Sequence, residues 1–316
     1  MGALTDRVFD AMHRALLAIL AAGFLSAVPA AAQDGHRTLG FGRLFSNDAI
    51  GDGQDRWRTG SYAVSWVRGK GWDGALPGRP AEVLEFRLRA DMIAPANLVT
   101  PAAGDRRYVG ALSIGAHTHW QAGGTELSAG AGLLGTGPQT GVGELHRVLH
   151  EAIGMTAPSP GVLANQIPNR IYPTAQAEAG WSLRTGTGAV FRPFVAGQGG
   201  AENLVRIGGE LMFGDIWQDG LLIRDAATGH RYVGVRGARS GFGMVMGADV
   251  AWVGSSAFLP SSGGYRLTDV RPRARLGLRW QGRKASVFYG MTWLGREFEA
   301  QPDGQVVGSL QLGFRF

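Results

Sequence analysis

The segment Arg273 to Trp280 reads RARLGLRW, with Ala274, Leu276, Leu278 and Trp280 on one side and Arg273, Arg275, Gly277 and Arg279 on the other. Side chains that alternate at period two belong to a β-strand with two unlike faces. The same alternation recurs. Val205, Ile207, Leu211 and Phe213 oppose Arg206, Gly208, Glu210 and Met212. Leu310, Leu312, Phe314 and Phe316 oppose Ser309, Gln311, Gly313 and Arg315. A soluble sandwich also alternates, so the pattern fixes strands before it fixes their solvent.

Three features point to lipid. The polar faces carry arginines, which suit a wet lumen. Trp57, Tyr108, Trp120, Trp181, Trp280 and Trp293 stand near the expected strand ends, as in an aromatic girdle. The last strand also ends on an aromatic. A backbone in lipid must satisfy its own hydrogen bonds, and strands do so only in a closed barrel. The expected fold is therefore all-β, a transmembrane antiparallel β-barrel. At roughly 10 residues per strand plus turns and some long loops, about 12 strands fit the length, with about 10 or 14 the alternatives.

The N-terminus agrees. Ala15 to Val28, ALLAILAAGFLSAV, is an apolar run too short to span a bilayer comfortably. Pro29-Ala30-Ala31-Ala32 then offers an A-x-A cleavage site. Residues 1–32 are expected to be a signal peptide cleaved after Ala32, with Met12 an alternative start, and residues 33–316 one barrel domain in the outer membrane. The chain has no cysteine, which removes disulfides, thiolate metal sites and thiol nucleophiles. Its net charge of +6 suits a polyanionic partner, phosphorylated lipid included, and no nucleic-acid motif accompanies it.

Three segments break the alternation with clustered polar residues. They are Phe45-Ser46-Asn47-Asp48 with Asp55 to Tyr62, Gly104 to Tyr108, and Gly132 to Gly154 continuing through Asn165-Gln166. In the third, His146 and His150 stand four apart, on one face if the segment is helical. A zinc-protease helix needs Glu directly after the first histidine, and Arg147 occupies that position. No G-x-S-x-G nucleophile elbow occurs. What remains is a neutral imidazole acting on water, aided by a cation on oxygen ligands such as Asn47 and Asp48. His117 and His119, two apart on one strand, read as lumen residues.

Together these segments resemble the outer-membrane lipid A 3′-O-deacylases, over about Leu39 to Phe316. The resemblance is carried by Asn47-Asp48, Asp55-Arg56 with Thr59, Gly104-Asp105-Arg106, and Gly137-Pro138 through His150 and Ile153-Gly154 to Asn165-Gln166. It implies a 12-stranded barrel that hydrolyses the ester of the 3′ acyloxyacyl group of lipid A and requires Ca2+. His150 matches the base, Asn47 and Asp48 the calcium and oxyanion region, and Thr59 the hydroxyl of the site. Arg106, Arg107 and Gln166 are the expected substrate contacts. The sequence departs twice. His146 stands where the family has glutamine, and reads as a catalytic neighbour rather than a second metal ligand. The loop Ala94 to Thr100 lacks the family's lysine. The expected partners are lipopolysaccharide and outer-membrane lipid, with no nucleic acid, and the barrel is expected as a monomer. An outer-membrane phospholipase or esterase barrel, and a non-enzymatic pore or structural barrel with a decayed site, remain the alternatives.

Overall fold

A computed structural model describes residues 35–186 and 188–314; the signal-peptide expectation lies outside them. Twelve long antiparallel strands form the wall. They are β1 (Arg37–Asn47), β2 (Trp57–Gly69), β3 (Val83–Ala94), β4 (Val109–Ala122), β5 (Thr125–Thr136), β6 (Arg170–Gly180), β8 (Val190–Gly199), β9 (Glu202–Phe213), β12 (Gly241–Ser256), β13 (Val270–Gln281), β14 (Ala285–Leu294) and β15 (Gln305–Phe314). Each pairs with its sequence neighbour among these, β6 pairs with β8, and β1 closes on β15. The stub β7 (Leu183–Arg184) extends the edge of β8. Closure leaves no open sheet edge, as a lipid-embedded sheet requires.

The faces divide as the alternation demands. Leu276, Leu278 and Trp280 are exposed on the outside, while Arg273, Arg275 and Arg279 are buried within. A buried cation is costly unless paired. Asp249 accordingly takes bonds from Arg206, Arg273 and Arg275. Glu210 takes bonds of 2.6, 2.7 and 2.8 Å from Arg224, Arg231 and Arg275. His119 and Glu85 meet inside at 2.8 Å.

The lumen is not simply wet. A hairpin of β10 (Leu221–Arg224) and β11 (Arg231–Val235) folds into it from the β9–β12 connection. Ile223, Tyr232 and Val235 join Val67, Trp217 and Phe288 in a buried apolar cluster. Alternation could not show this, because the segment between two wall strands reads like any long loop. The hairpin lies near the closing seam. Gln311 of β15 gives Nε2 to the carbonyl of Val233 and takes that residue's N–H, at 2.9 and 3.0 Å. Among the described residues, β1 and β15 are in register at Phe45↔Leu310, Ser46↔Ser309 and Asn47↔Gly308, whereas β14 and β15 pair from Ala285↔Phe314 to Leu294↔Gln305.

The aromatics at strand ends prove to be of two kinds. Trp181, Trp280 and Trp293 are exposed. Trp57 and Tyr108 are each only 1% exposed, because they turn inward at the loop end of the wall; they are not part of a lipid-facing girdle.

Candidate active site

The β1–β2, β3–β4 and β5–β6 connections leave the barrel at the same end. The last of them holds α1 (Val142–Ile153) and the short α2 (Pro160–Ala164). Helix α1 starts from the Gly137-Pro138 turn, where Pro138 opens a 3₁₀ turn and Glu144 complements the helix N-terminus. It stops at Gly154, whose φ of 72° places it in the left-handed region that favours glycine at this position. Its buried residues are Val142, Gly143, His146 and His150, one face at helical spacing. A Cβ at Gly143 would lie 3.1 Å from Leu163 and 3.3 Å from Tyr108, so the missing side chain lets the helix sit down on both. Arg147 lies on the far face, bonded to Glu144 and Glu151.

This seating brings the two histidines into one chain of bonds. His150 Nδ1 lies 2.8 Å from the carbonyl oxygen of Thr156. A carbonyl only accepts, so Nδ1 carries the proton and Nε2 keeps the lone pair. His150 Nε2 lies 3.0 Å from His146 Nε2, and His146 Nδ1 lies 3.0 Å from the Tyr108 hydroxyl. The consistent assignment runs one way. Tyr108 donates to His146 Nδ1, His146 donates through Nε2 to His150 Nε2, and His150 donates to Thr156. Burial, with the nearby Asp55 charge, pushes the Tyr108 hydroxyl far above its ordinary range, so it stays a neutral donor.

The β1–β2 loop supplies the carboxylates. Asp48 is fully buried, and takes the Arg56 N–H at 2.8 Å and the Thr59 hydroxyl at 3.0 Å. The same hydroxyl is bonded to Asp55 Oδ1. Asp55 Oδ2 lies 3.3 Å from His150 Nδ1, and Oδ1 lies 3.7 Å from His146 Nε2. One hydroxyl proton cannot serve two carboxylates. Desolvation, reinforced by the Asp55 and Asp52 charges, pushes the Asp48 carboxyl up to about 8, against the bonds from Arg56 and Thr59. Burial alone would raise Asp55 as well, but His146 and Thr59 outweigh it and hold that carboxyl below its usual value.

The structure thus gathers Asp48, Thr59, His146 and His150, and adds two residues the sequence reading did not assign, Asp55 and Tyr108. In the sequence Asp55 is a carboxylate four residues before Thr59, and Tyr108 reads as an interfacial aromatic. Asn47 adjoins the cluster, with its Oδ1 accepting the Ala49 N–H at 2.7 Å in a local turn. Arg106, expected to contact substrate, is buried and bonded to Glu297, in a network where Arg58 meets Glu297 at 2.7 Å and Arg271 meets Glu202 at 2.8 Å. Arg107 is the exposed member of that pair, its main-chain N–H given to Tyr265 at 2.9 Å. Gln166 gives Nε2 to Leu163 at 2.8 Å and lies under the start of α1, near Gly143.

A family model described as outer membrane protein LpxR matches residues 16–316. Among solved structures, LpxR from Salmonella typhimurium superposes with a TM-score of 0.72 at 16% identity, covering 88% of this chain and 100% of that one. The NanC porin follows at TM-score 0.40 and 7% identity, covering 88% and 100%, and the KdgM porin at 0.37 and 7%, covering 88% and 98%. No curated protein matches the chain.

Proposed function

Because the chain belongs to the LpxR family of outer-membrane proteins, we propose that it is a calcium-dependent lipid A 3′-O-deacylase acting from the outer leaflet. The observation that carries this reading is the set of bonds around His150. Nδ1 is committed to a carbonyl, the ring's one lone pair is on Nε2 where His146 caps it, and buried oxygen donors stand beside the ring. The site also lies on the loop end of the wall, where a lipid headgroup can reach it.

In the resting arrangement His146 caps Nε2 of His150. A water entering between the rings takes over that bond. His150 removes a proton from this water, and the hydroxide attacks the ester carbonyl. His150 then returns the proton to the departing 3-oxygen of the sugar, giving a free hydroxyl and the released acid, with no covalent intermediate. His146, in place of the family's glutamine, still offers one donor to the water.

The oxygen donors fit a hard cation. Thr59 has one hydroxyl proton to offer two carboxylates, and among the described residues no cationic side chain is bonded to the buried Asp48. Asp48 and Asn47 would hold Ca2+, which when bound supplies positive charge for the oxyanion.

Mass spectrometry of lipid A and phospholipid from cells expressing the wild-type barrel or His150→Ala tests the reading. Wild type should remove one acyloxyacyl mass from lipid A, EDTA in the purified assay should stop the reaction, and His150→Ala should be inactive while folded. Lipid A of unchanged mass, or acyl loss from phospholipid alone, would refute the proposal.

A further inference from the structure

Two ring nitrogens and a carboxylate converge at the site in a way that calcium does not need. His146 Nε2 lies 3.0 Å from His150 Nε2 and 3.7 Å from Asp55 Oδ1, and one ligand atom from each of the three residues lies within 4.8 Å of the others. Two ligand atoms each about 2.1 Å from a tetrahedral ion lie roughly 3.4 Å apart, a value these two separations bracket. Asp55 Oδ2 lies 3.3 Å from Nδ1 of His150, the nitrogen held by Thr156, so the carboxylate must swing toward Nε2 as the ion enters. We infer that Asp55, His146 and His150 form a three-ligand site for a divalent transition cation of the zinc class, distinct in chemistry from the oxygen donors assigned to Ca2+.

The donor set makes the distinction. Imidazole nitrogen with one carboxylate suits zinc, cobalt, nickel or copper, whereas calcium takes oxygen. The surroundings complete it. A metal-ligating histidine has its other nitrogen oriented by a hydrogen-bond partner. His150 Nδ1 already donates to the Thr156 carbonyl, and the Tyr108 oxygen can accept from His146 Nδ1. Asp55 is steadied by the Thr59 hydroxyl. The cation would replace the proton between the two Nε2 atoms, which moves to Nδ1 of His146, so binding releases no net proton. The side chains of His150 and Asp55 are 11% and 19% exposed, which leaves a fourth position for water.

The site uses the same Nε2 lone pair that the proposed mechanism gives to water. Resting on that mechanism, the cation and the base function exclude each other, and zinc should inhibit.

The test separates binding from activity. The EDTA-stripped barrel, folded in detergent, is titrated with ZnCl2 by calorimetry and with CoCl2 by visible absorption, without substrate. Wild type should bind one ion and give the intense cobalt bands of a four-coordinate site. His146→Gln and Asp55→Asn, checked for heat-modifiable migration, should each weaken zinc binding by about 100-fold or more, since loss of an outer partner alone costs up to that. Zinc binding to folded wild type no tighter than to folded His146→Gln overturns the site. Full deacylation with zinc bound stoichiometrically overturns the exclusion. If zinc binds as stated and lipid A is never deacylated, the proposed activity fails and the metal site stands.

Discussion

At the residue scale, Thr59 joins the two halves of the site. Its hydroxyl touches both carboxylates, and among the described residues no other side chain bonds Asp48. Thr59→Val leaves Asp48 and Asp55 facing each other in a buried place, with about 1–3 kcal/mol of lost bonding. Deacylation kinetics should fall by about 10²–10³-fold, with Thr59→Ser restoring most of the rate. A fully active Thr59→Val would show that the bridge plays no part in turnover. The residues read from sequence were those whose identity alone restricts chemistry: His150, Asp48, Thr59. Asp55 and Tyr108 escaped because carboxylates and aromatics have many dull uses in loops. Only the docking of α1 shows that these two face the histidines. Arg106 failed for the opposite reason, since an arginine suited to substrate phosphate is equally suited to a buried glutamate.

At the element scale, α1 works by how closely it sits. Its histidines reach Tyr108 because Gly143 has no side chain to hold the helix off. Gly143→Leu would need space already filled by Leu163 and Tyr108, so α1 must lift. Activity should drop at least tenfold while heat-modifiable migration is unchanged, because the wall does not depend on α1. Unchanged activity would mean that the helix seats differently. The sequence marked this helix through the four-residue histidine spacing and the terminal glycines. The plug hairpin was illegible: β10 and β11 are 4 and 5 residues long, too short for alternation to show.

At the scale of the molecule, wall strands were legible because lipid outside and paired charge inside impose opposite chemistry on alternate residues. What fills the lumen was not legible, since arginines that line a channel and arginines that pair across a plug look alike in sequence. The plug predicts a barrel without an open pore. Planar-bilayer recording of the intact barrel should show no discrete channel steps, and deletion of Leu221–Val235 should produce them. Stepwise conductance through the intact barrel would contradict a filled lumen.

The seam between β1 and β15 adds an order of events. Gln311 binds the plug from the position next to Leu310, which pairs with Phe45 of β1, so a late-arriving hairpin would find its partner strand already committed. That placement predicts sequential assembly, with the cylinder shut only after its contents are packed. Gln311→Leu should slow the appearance of the fast-migrating folded form after dilution into detergent, more than it lowers final stability. Equal folding times for the variant and wild type would sink that order. The protein closes like a cask, whose last stave is driven home against what it already contains.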